Sequence, residues 1–237
     1  RIGHLYPKVQ VPPEKGGGEA TVIAWIWART AKCPNPACGC EMPLVHSFVL
    51  SQKKGKEAYI YPICNNAHIS YEVRNGKDAP DGTVNRKGAT CLCCGAPVGF
   101  PYIREEGKAG RMGSKLIAIV AEGKGGRIYI LPSMTQIQAA DVERPDQYPD
   151  GELFGKAAVN VPNYGLTNFS DLFTNRQLTA LTTFSNLVSE AQAKATRDAL
   201  ATGMADDGIG LADSGCGAAA YGQAVGVYLA FVIDKMI

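Results

Sequence analysis

Six of the eight cysteines fall in two short clusters, Cys33-Pro34-Asn35-Pro36-Ala37-Cys38-Gly39-Cys40 and Cys91-Leu92-Cys93-Cys94-Gly95. Each holds a cysteine pair with glycine directly after the second member. That is the outline of a zinc knuckle, a tight turn whose backbone amides face the thiolates. Glycine suits the turn because it accepts positive φ. Two knuckles supply four sulfurs, enough for a closed tetrahedral structural zinc. The expected ligands are Cys33, Cys38, Cys91 and Cys94, with Cys40 and Cys93 as possible substitutes. The first spacing is wide, so the metal is better specified than its ligand set. A disulfide framework or free thiols are the alternatives. Cys64 and Cys216 stand apart and read as ordinary buried thiols. A catalytic zinc would keep an open position and commonly a histidine, and His4, His46 and His68 have no ligand spacing to either cluster.

The rest of the chain must bring those clusters together. Its 237 residues are 46% hydrophobic, enough for one large domain or two small ones. The net charge of +2 hides an asymmetry. Residues 51–130 carry 13 basic and 7 acidic side chains, whereas residues 131–237 carry 6 and 12. A basic middle suits a polyanion, although charge also varies along chains without purpose. No run is a transmembrane candidate: the apolar segment 224–237 is short and contains Asp234 and Lys235. The chain starts without Met and stops inside an apolar run, which reads as a segment of a longer protein.

Residues 20–30 (ATVIAWIWART) form an expected strand, apolar on both faces and therefore central, with its tryptophans in the core. Strands follow at 43–50, 57–63 and 67–73, with hairpin turns at Lys54-Gly55 and Asn75-Gly76. Further turns are expected at Asp81-Gly82 and Lys87-Gly88. This meander is an insertion of 52 residues, 39 to 90, between the knuckles. Residues 97–103 read as extended. Residues 107–115 (GKAGRMGSK) form a basic, glycine-rich loop without the pattern of a nucleotide-binding motif. Strands at 116–122 and 127–131 join through a turn at 123–126, and a short helix is expected at 135–142. Thr174-Asn175-Arg176-Gln177 is a capping box opening a helix that runs to about Ala201 and stops at Gly203. An acidic loop, 206–217, leads to a second helix, 218–237, apolar on most sides. Such a helix is buried, nothing in this chain supplies enough surface for it, and it is expected to dock on missing parts of the protein.

The fold class is therefore α+β: a zinc-ribbon-like antiparallel β module with an enlarged β-meander insertion, followed by a C-terminal helical part. The expected domains are residues 1–131 (β), 132–169 (connector) and 170–237 (helical). A nucleophile elbow, a P-loop, HExxH and paired-carboxylate motifs are absent from the sequence.

Several stretches resemble one family: 21–30 (TVIAWIWART), 32–45 (KCPNPACGCEMPLV), 51–60 (SQKKGKEAYI), 82–97 (GTVNRKGATCLCCGAP), 102–130, 164–187 and 221–235. Together they resemble the central part of bacterial and archaeal adenine-specific DNA methylases that contain a zinc ribbon. The resemblance implies methyl transfer from S-adenosylmethionine to the exocyclic amine of adenine. It assigns no catalytic or cofactor residue here. The family's Asp/Asn/Ser-Pro-Pro-Tyr/Phe motif has no match, the only Pro-Pro being Pro12-Pro13, and no Phe-x-Gly-x-Gly occurs. The expected role is a DNA-contact or target-recognition module of a cytoplasmic methyltransferase, with zinc as the structural cofactor. Its partners would be DNA and the rest of its own methyltransferase chain, the helical segment docking on the missing catalytic domain, with no membrane. Lys53, Lys54, Lys56, Arg86, Lys87, Arg104, Lys108 and Arg111 are the candidate phosphate contacts. The alternative is a scaffold packed on the methyltransferase domain.

Overall fold

The computed structural model describes residues 1–123 and 125–236. In chain order the first strands are β1 (Val9–Gln10), β2 (Glu19–Ala20), β3 (Val22–Lys32), β4 (Glu41–Leu44), β5 (Val49–Ser51), β6 (Ala58–Asn65) and β7 (His68–Asn75). Next come β8 (Val84–Asn85), β9 (Gly88–Thr90), β10 (Pro97–Gly99), helix α1 (Phe100–Lys108), β11 (Gly113–Gly123) and β12 (Gly126–Ile130). Four helices follow: α2 (Met134–Ala140), α3 (Ala157–Asn160), α4 (Asn175–Ala201) and α5 (Ala218–Asp234). The chain is mixed α and β, with antiparallel sheets and a C-terminal helical part.

The chain divides into two compact units. The β unit comprises Gly3–Asp141 and Asp150–Leu172. The second stretch is closed on itself by the Leu153 N–H, which donates to the Thr167 carbonyl at 2.8 Å, and it meets the first where Tyr164 and Gly165 lie against Gly107. The helical unit comprises Arg1–Ile2, Val142–Pro149 and Phe173–Ile237.

The main sheet of the β unit has the order β12-β11-β3-β4. The strand β3 is internal, as expected, but neither face is wholly covered: Val22, Ala24 and Ile26 on one face are half-buried. Ile23 and Trp27 stay 44% and 37% exposed. Trp25 is half-buried because its indole N–H has a partner, the Gln136 Oε1 at 2.8 Å. In β11 a register shift between Leu116 and Ala118 marks a bulge at Ile117. Ile117 and Ala118 pack with Phe48 and Ile60, whereas Ile119 and Ala121 pack with Val9 and Val11.

A second sheet has the order β5-β6-β7. Its β6–β7 turn differs from the expectation. It lies at Asn66-Ala67, both at positive φ (48° and 61°), with Asn65 opposite His68. Two left-handed residues match the twist of a two-residue hairpin. Asn75-Gly76 is instead the point where the chain leaves the sheet, Gly76 N–H donating to Glu57 O at 3.0 Å. The expected strand 43–50 is likewise two strands, β4 and β5, on different sheets.

Residues 97–103 are extended only to Gly99. From Phe100 the chain is helical, with Pro101 in the first turn, where a missing N–H costs nothing. The basic loop is correspondingly shorter. Gly107 and Lys108 close α1, and Gly113–Lys115 open β11.

In the helical unit the capping box is present: Thr174 Oγ1 accepts from Gln177 N–H, and Gln177 Oε1 accepts from Thr174 N–H. The helix α5 is only partly covered within the helical unit. It buries its small residues, Ala218, Ala220, Gly222 and Gly226, and leaves Tyr228 75%, Phe231 61% and Val232 58% exposed. The small face is required, because a Cβ on Gly222 would lie 2.0 Å from Thr196 Oγ1 of α4. The apolar pattern ran all round the helix, but the close contact with α4 uses only its narrow glycine–alanine stripe.

Candidate metal centre

Each knuckle is built from a turn next to a strand. Cys33 follows β3 directly, and its N–H donates to Cys40 O at 2.8 Å, closing the loop onto the approach to β4. Within the loop, Asn35 O accepts from the N–H groups of Cys38 and Gly39, both at 2.9 Å, and Asn35 Oδ1 accepts from Ala37 N–H at 3.1 Å. The second knuckle repeats the design. Cys91 N–H donates to Ala96 O and Gly95 N–H to Cys91 O, both at 2.9 Å. Gly39 and Gly95 have φ of 55° and 71°, the left-handed turn that the Cys-Gly pairs imply.

The four sulfurs expected to act together do converge. The Sγ atoms of Cys33, Cys38, Cys91 and Cys94 all lie within 4.8 Å of one another. Cys33 and Cys94 are 3.7 Å apart, and Cys38 and Cys91 are 3.8 Å apart. A tetrahedron with Zn–S bonds of about 2.3 Å has sulfurs about 3.8 Å apart. The set therefore fits one small tetrahedral cation, and four thiolates would leave it no open position.

Burial pushes the Cys33 thiol up to about 12, despite a hydrogen bond from the Asn35 N–H. Cys91 is also buried, which alone would raise it. The N–H groups of Cys94 and Cys93 and the thiols of Cys40 and Cys94 outweigh that and bring Cys91 down to about 6. Negative charge therefore settles first on Cys91, in the buried part of the cluster. Cys33 and Cys91 are buried, while Cys94 is exposed, so one corner of the tetrahedron meets solvent.

The two substitutes have other roles. Cys40 is a buried fifth sulfur, 3.2 Å from Cys91, and burial raises its thiol. Kept protonated, it is placed to donate to the Cys91 thiolate. Cys93 forms a disulfide with Cys64 of β6 and is no ligand. That corrects the reading of Cys64 as a plain buried thiol. The pair was invisible in sequence because its members are 29 residues apart. Only the packing of β6 against the second knuckle brings their Cα atoms to 5.4 Å. Cys216, expected to be buried, is exposed in the loop before α5, where its N–H donates to Asp207 at 2.8 Å.

All eight candidate phosphate contacts are exposed. They occupy three regions: Lys53, Lys54 and Lys56 in the β5–β6 turn, Arg86 and Lys87 in the β8–β9 turn, and Arg104, Lys108 and Arg111 on or just after α1. They are not equally available. Arg111 is held by Glu106 through contacts of 2.6, 3.1 and 3.2 Å. That hydrogen-bonded guanidinium keeps the Glu106 carboxyl below the usual carboxylate range. Lys56 Nζ donates to Gly125 O. Arg104 has no carboxylate partner among the described residues and lies 5.9 Å from the ring centroids of both Phe100 and Tyr164. Among the described residues, no helix is long and apolar enough to cross a membrane.

Comparison with known proteins returned no matching family model, no matching curated protein and no matching solved structure.

Proposed function

We propose that the chain is a zinc-stabilised nucleic-acid contact module, a zinc-ribbon-like β domain that serves an S-adenosylmethionine-dependent adenine-specific DNA methyltransferase. The observation that carries the metal part is the four-sulfur cluster, all within 4.8 Å of one another, two of whose separations, 3.7 and 3.8 Å, match a tetrahedral zinc–thiolate site. Zinc would be held by Cys33, Cys38, Cys91 and Cys94 and would supply structure rather than chemistry. The cations support the DNA part. Arg86 and Lys87 precede the second knuckle by a few residues, and Arg104 and Lys108 follow it on α1. Such side chains bind phosphate without reading sequence and give strongly salt-dependent affinity. A methylase that acts on a base must flip it out, and clamping the flanking backbone supports the distorted duplex. The methylase assignment rests on the sequence resemblance. Methyl transfer itself is assigned to no residue of this chain.

The scaffold reading draws on one specific observation, the exposed Tyr228, Phe231 and Val232 of α5. The test is duplex DNA binding across a salt series, with zinc measured on the same sample. The expected result is one zinc per chain and a steep loss of affinity with salt. Lys53→Glu with Lys54→Glu should weaken binding and flatten the salt slope by about one per lost phosphate contact. Arg111 is a poor choice for this test, because reversing its charge would set two carboxylates against each other at Glu106. One zinc with no binding at low salt would refute the DNA role and favour the scaffold.

A further inference from the structure

On the hydrophobic cluster that holds the knuckles lies a second feature, a cavity of about 480 Å³. That is within the range of roughly 300–1,000 Å³ typical of small-molecule sites. Phe100, Met112 and Tyr164 contribute much of its apolar wall, and Arg29, His46 and Asn160 its polar groups. No aspartate or glutamate lines it.

The wall is held by backbone contact. The turn Val161–Tyr164 lies against α1 with no room for side chains between them. A Cβ on Gly107 would be 2.6 Å from Tyr164 O, and one on Gly165 would be 2.0 Å from Gly107 O. Tyr164 is thereby held against α1, the helix that Phe100 opens.

The charge at this cavity is uncommitted. Arg1, Arg74 and Arg111 each pair with a glutamate. Arg29, which lines the cavity, forms no such pair among the described residues. Arg29 donates only to the Met112 sulfur at 3.8 Å, a weak acceptor. An apolar aromatic wall with one unpaired guanidinium group and no lining carboxylate suits a flat ring attached to an anion. A purely aliphatic occupant would leave the cation unused, and a bare phosphate would leave the wall unused.

We propose that this cavity holds one unstacked nucleobase, with the adjoining phosphate at Arg29. Base–aromatic stacking and arginine contacts are the usual means of holding single bases. This deepens the nucleic-acid reading above by naming where a base would lodge.

The zinc-loaded chain is titrated with deoxyadenosine 5′-monophosphate and, separately, with 2-deoxyribose 5-phosphate, followed by calorimetry or ligand-observed NMR. The nucleotide should bind at least about tenfold more tightly than the sugar phosphate, the scale of one base–aromatic contact. Arg29→Gln, at an exposed position, and Tyr164→Ala should each weaken nucleotide binding by about tenfold, and Tyr164→Phe should retain it. Unchanged zinc content shows that each variant is folded. If Tyr164→Ala fails that check, Arg29→Gln decides the question alone. Equal binding of the two probes, no nucleotide binding, or unchanged affinity in Arg29→Gln would overturn the proposal. Salt-dependent duplex binding that survives such a result would leave the phosphate-contact role standing. Loss of duplex binding with the nucleotide site intact would refute the DNA role and leave the cavity as a nucleotide site.

Discussion

The five clustered thiols make an internal control for the metal site. Cys94→Ala removes a ligand at the exposed corner, whereas Cys40→Ala removes the buried thiol beside Cys91. A metal held by these sulfurs would join Cys38 to Cys91 across 53 residues. Treated as a cross-link, a loop of that length contributes about 4 kcal/mol through the entropy of the unfolded chain. At about 2–4 °C per kcal/mol for a chain of this size, that alone is a fall in Tm of roughly 10 °C. It is a lower bound, because structural zinc sites bind with apparent free energies of about 10–16 kcal/mol. Cys40→Ala loses one hydrogen bond and a small side chain, a cost of about 1 kcal/mol or slightly more. The assay is zinc by mass spectrometry and thermal unfolding of the same samples. The expected result is one zinc per chain for wild type and Cys40→Ala, and none for Cys94→Ala with a collapse of the β unit. If Cys40→Ala loses zinc as completely as Cys94→Ala, or if Cys94→Ala keeps it, the ligand assignment is wrong.

Other predictions concern what surrounds the site. Cys93→Ala breaks the disulfide to Cys64, whose 29-residue loop accounts for at most about 3.6 kcal/mol, less where the zinc already restrains the same segment. Denaturant unfolding without reductant should show that loss with zinc stoichiometry unchanged, and the difference from wild type should vanish in reductant. Glu106 has a lowered pKa because of Arg111, so its contribution is present above the usual carboxylate range and is lost as pH falls through the folded value. Glu106→Gln should therefore destabilise the chain at pH 7 and reduce the acid-side fall in Tm, and a parallel Tm–pH curve would contradict this. Gly222→Val forces a side chain into Thr196 and should separate α4 from α5 at a cost of about 1–3 kcal/mol, read as faster amide exchange in both helices. Unchanged exchange would show that the pair has room to spare.

Local rules succeeded wherever the deciding partner was near in sequence. The capping box at Thr174, the stop at Gly203 and the Cys-Gly knuckle turns all depend on hydrogen bonds or φ preferences spanning a few residues, whereas the expected turn 123–126 includes residue 124, outside the described residues. They failed at α1, where Pro101 and Gly107 resemble breakers. The proline sits in the first turn and the glycine is demanded by contact with Tyr164. They failed again at Asn75-Gly76, a good hairpin signal by composition, because the long β6–β7 pairing has its turn nine residues earlier and the chain leaves the sheet at Gly76.

The types and spacings of the cysteines determined by themselves that two knuckles exist and that sulfurs from both could share a cation, because the knuckle is a local turn with local hydrogen bonds; they left Cys40 and Cys93 open. Tertiary structure decided the rest. Whether Cys93 is a ligand depends on β6 placing Cys64 beside it. Whether Arg111 is free depends on Glu106, and whether α5 is buried depends on how much of it α4 can cover. The cavity beside Arg29 follows from the close approach of α1 and residues 161–164, which are far apart in the chain. Each of these is settled by non-local packing, whose partners are not encoded at any fixed spacing.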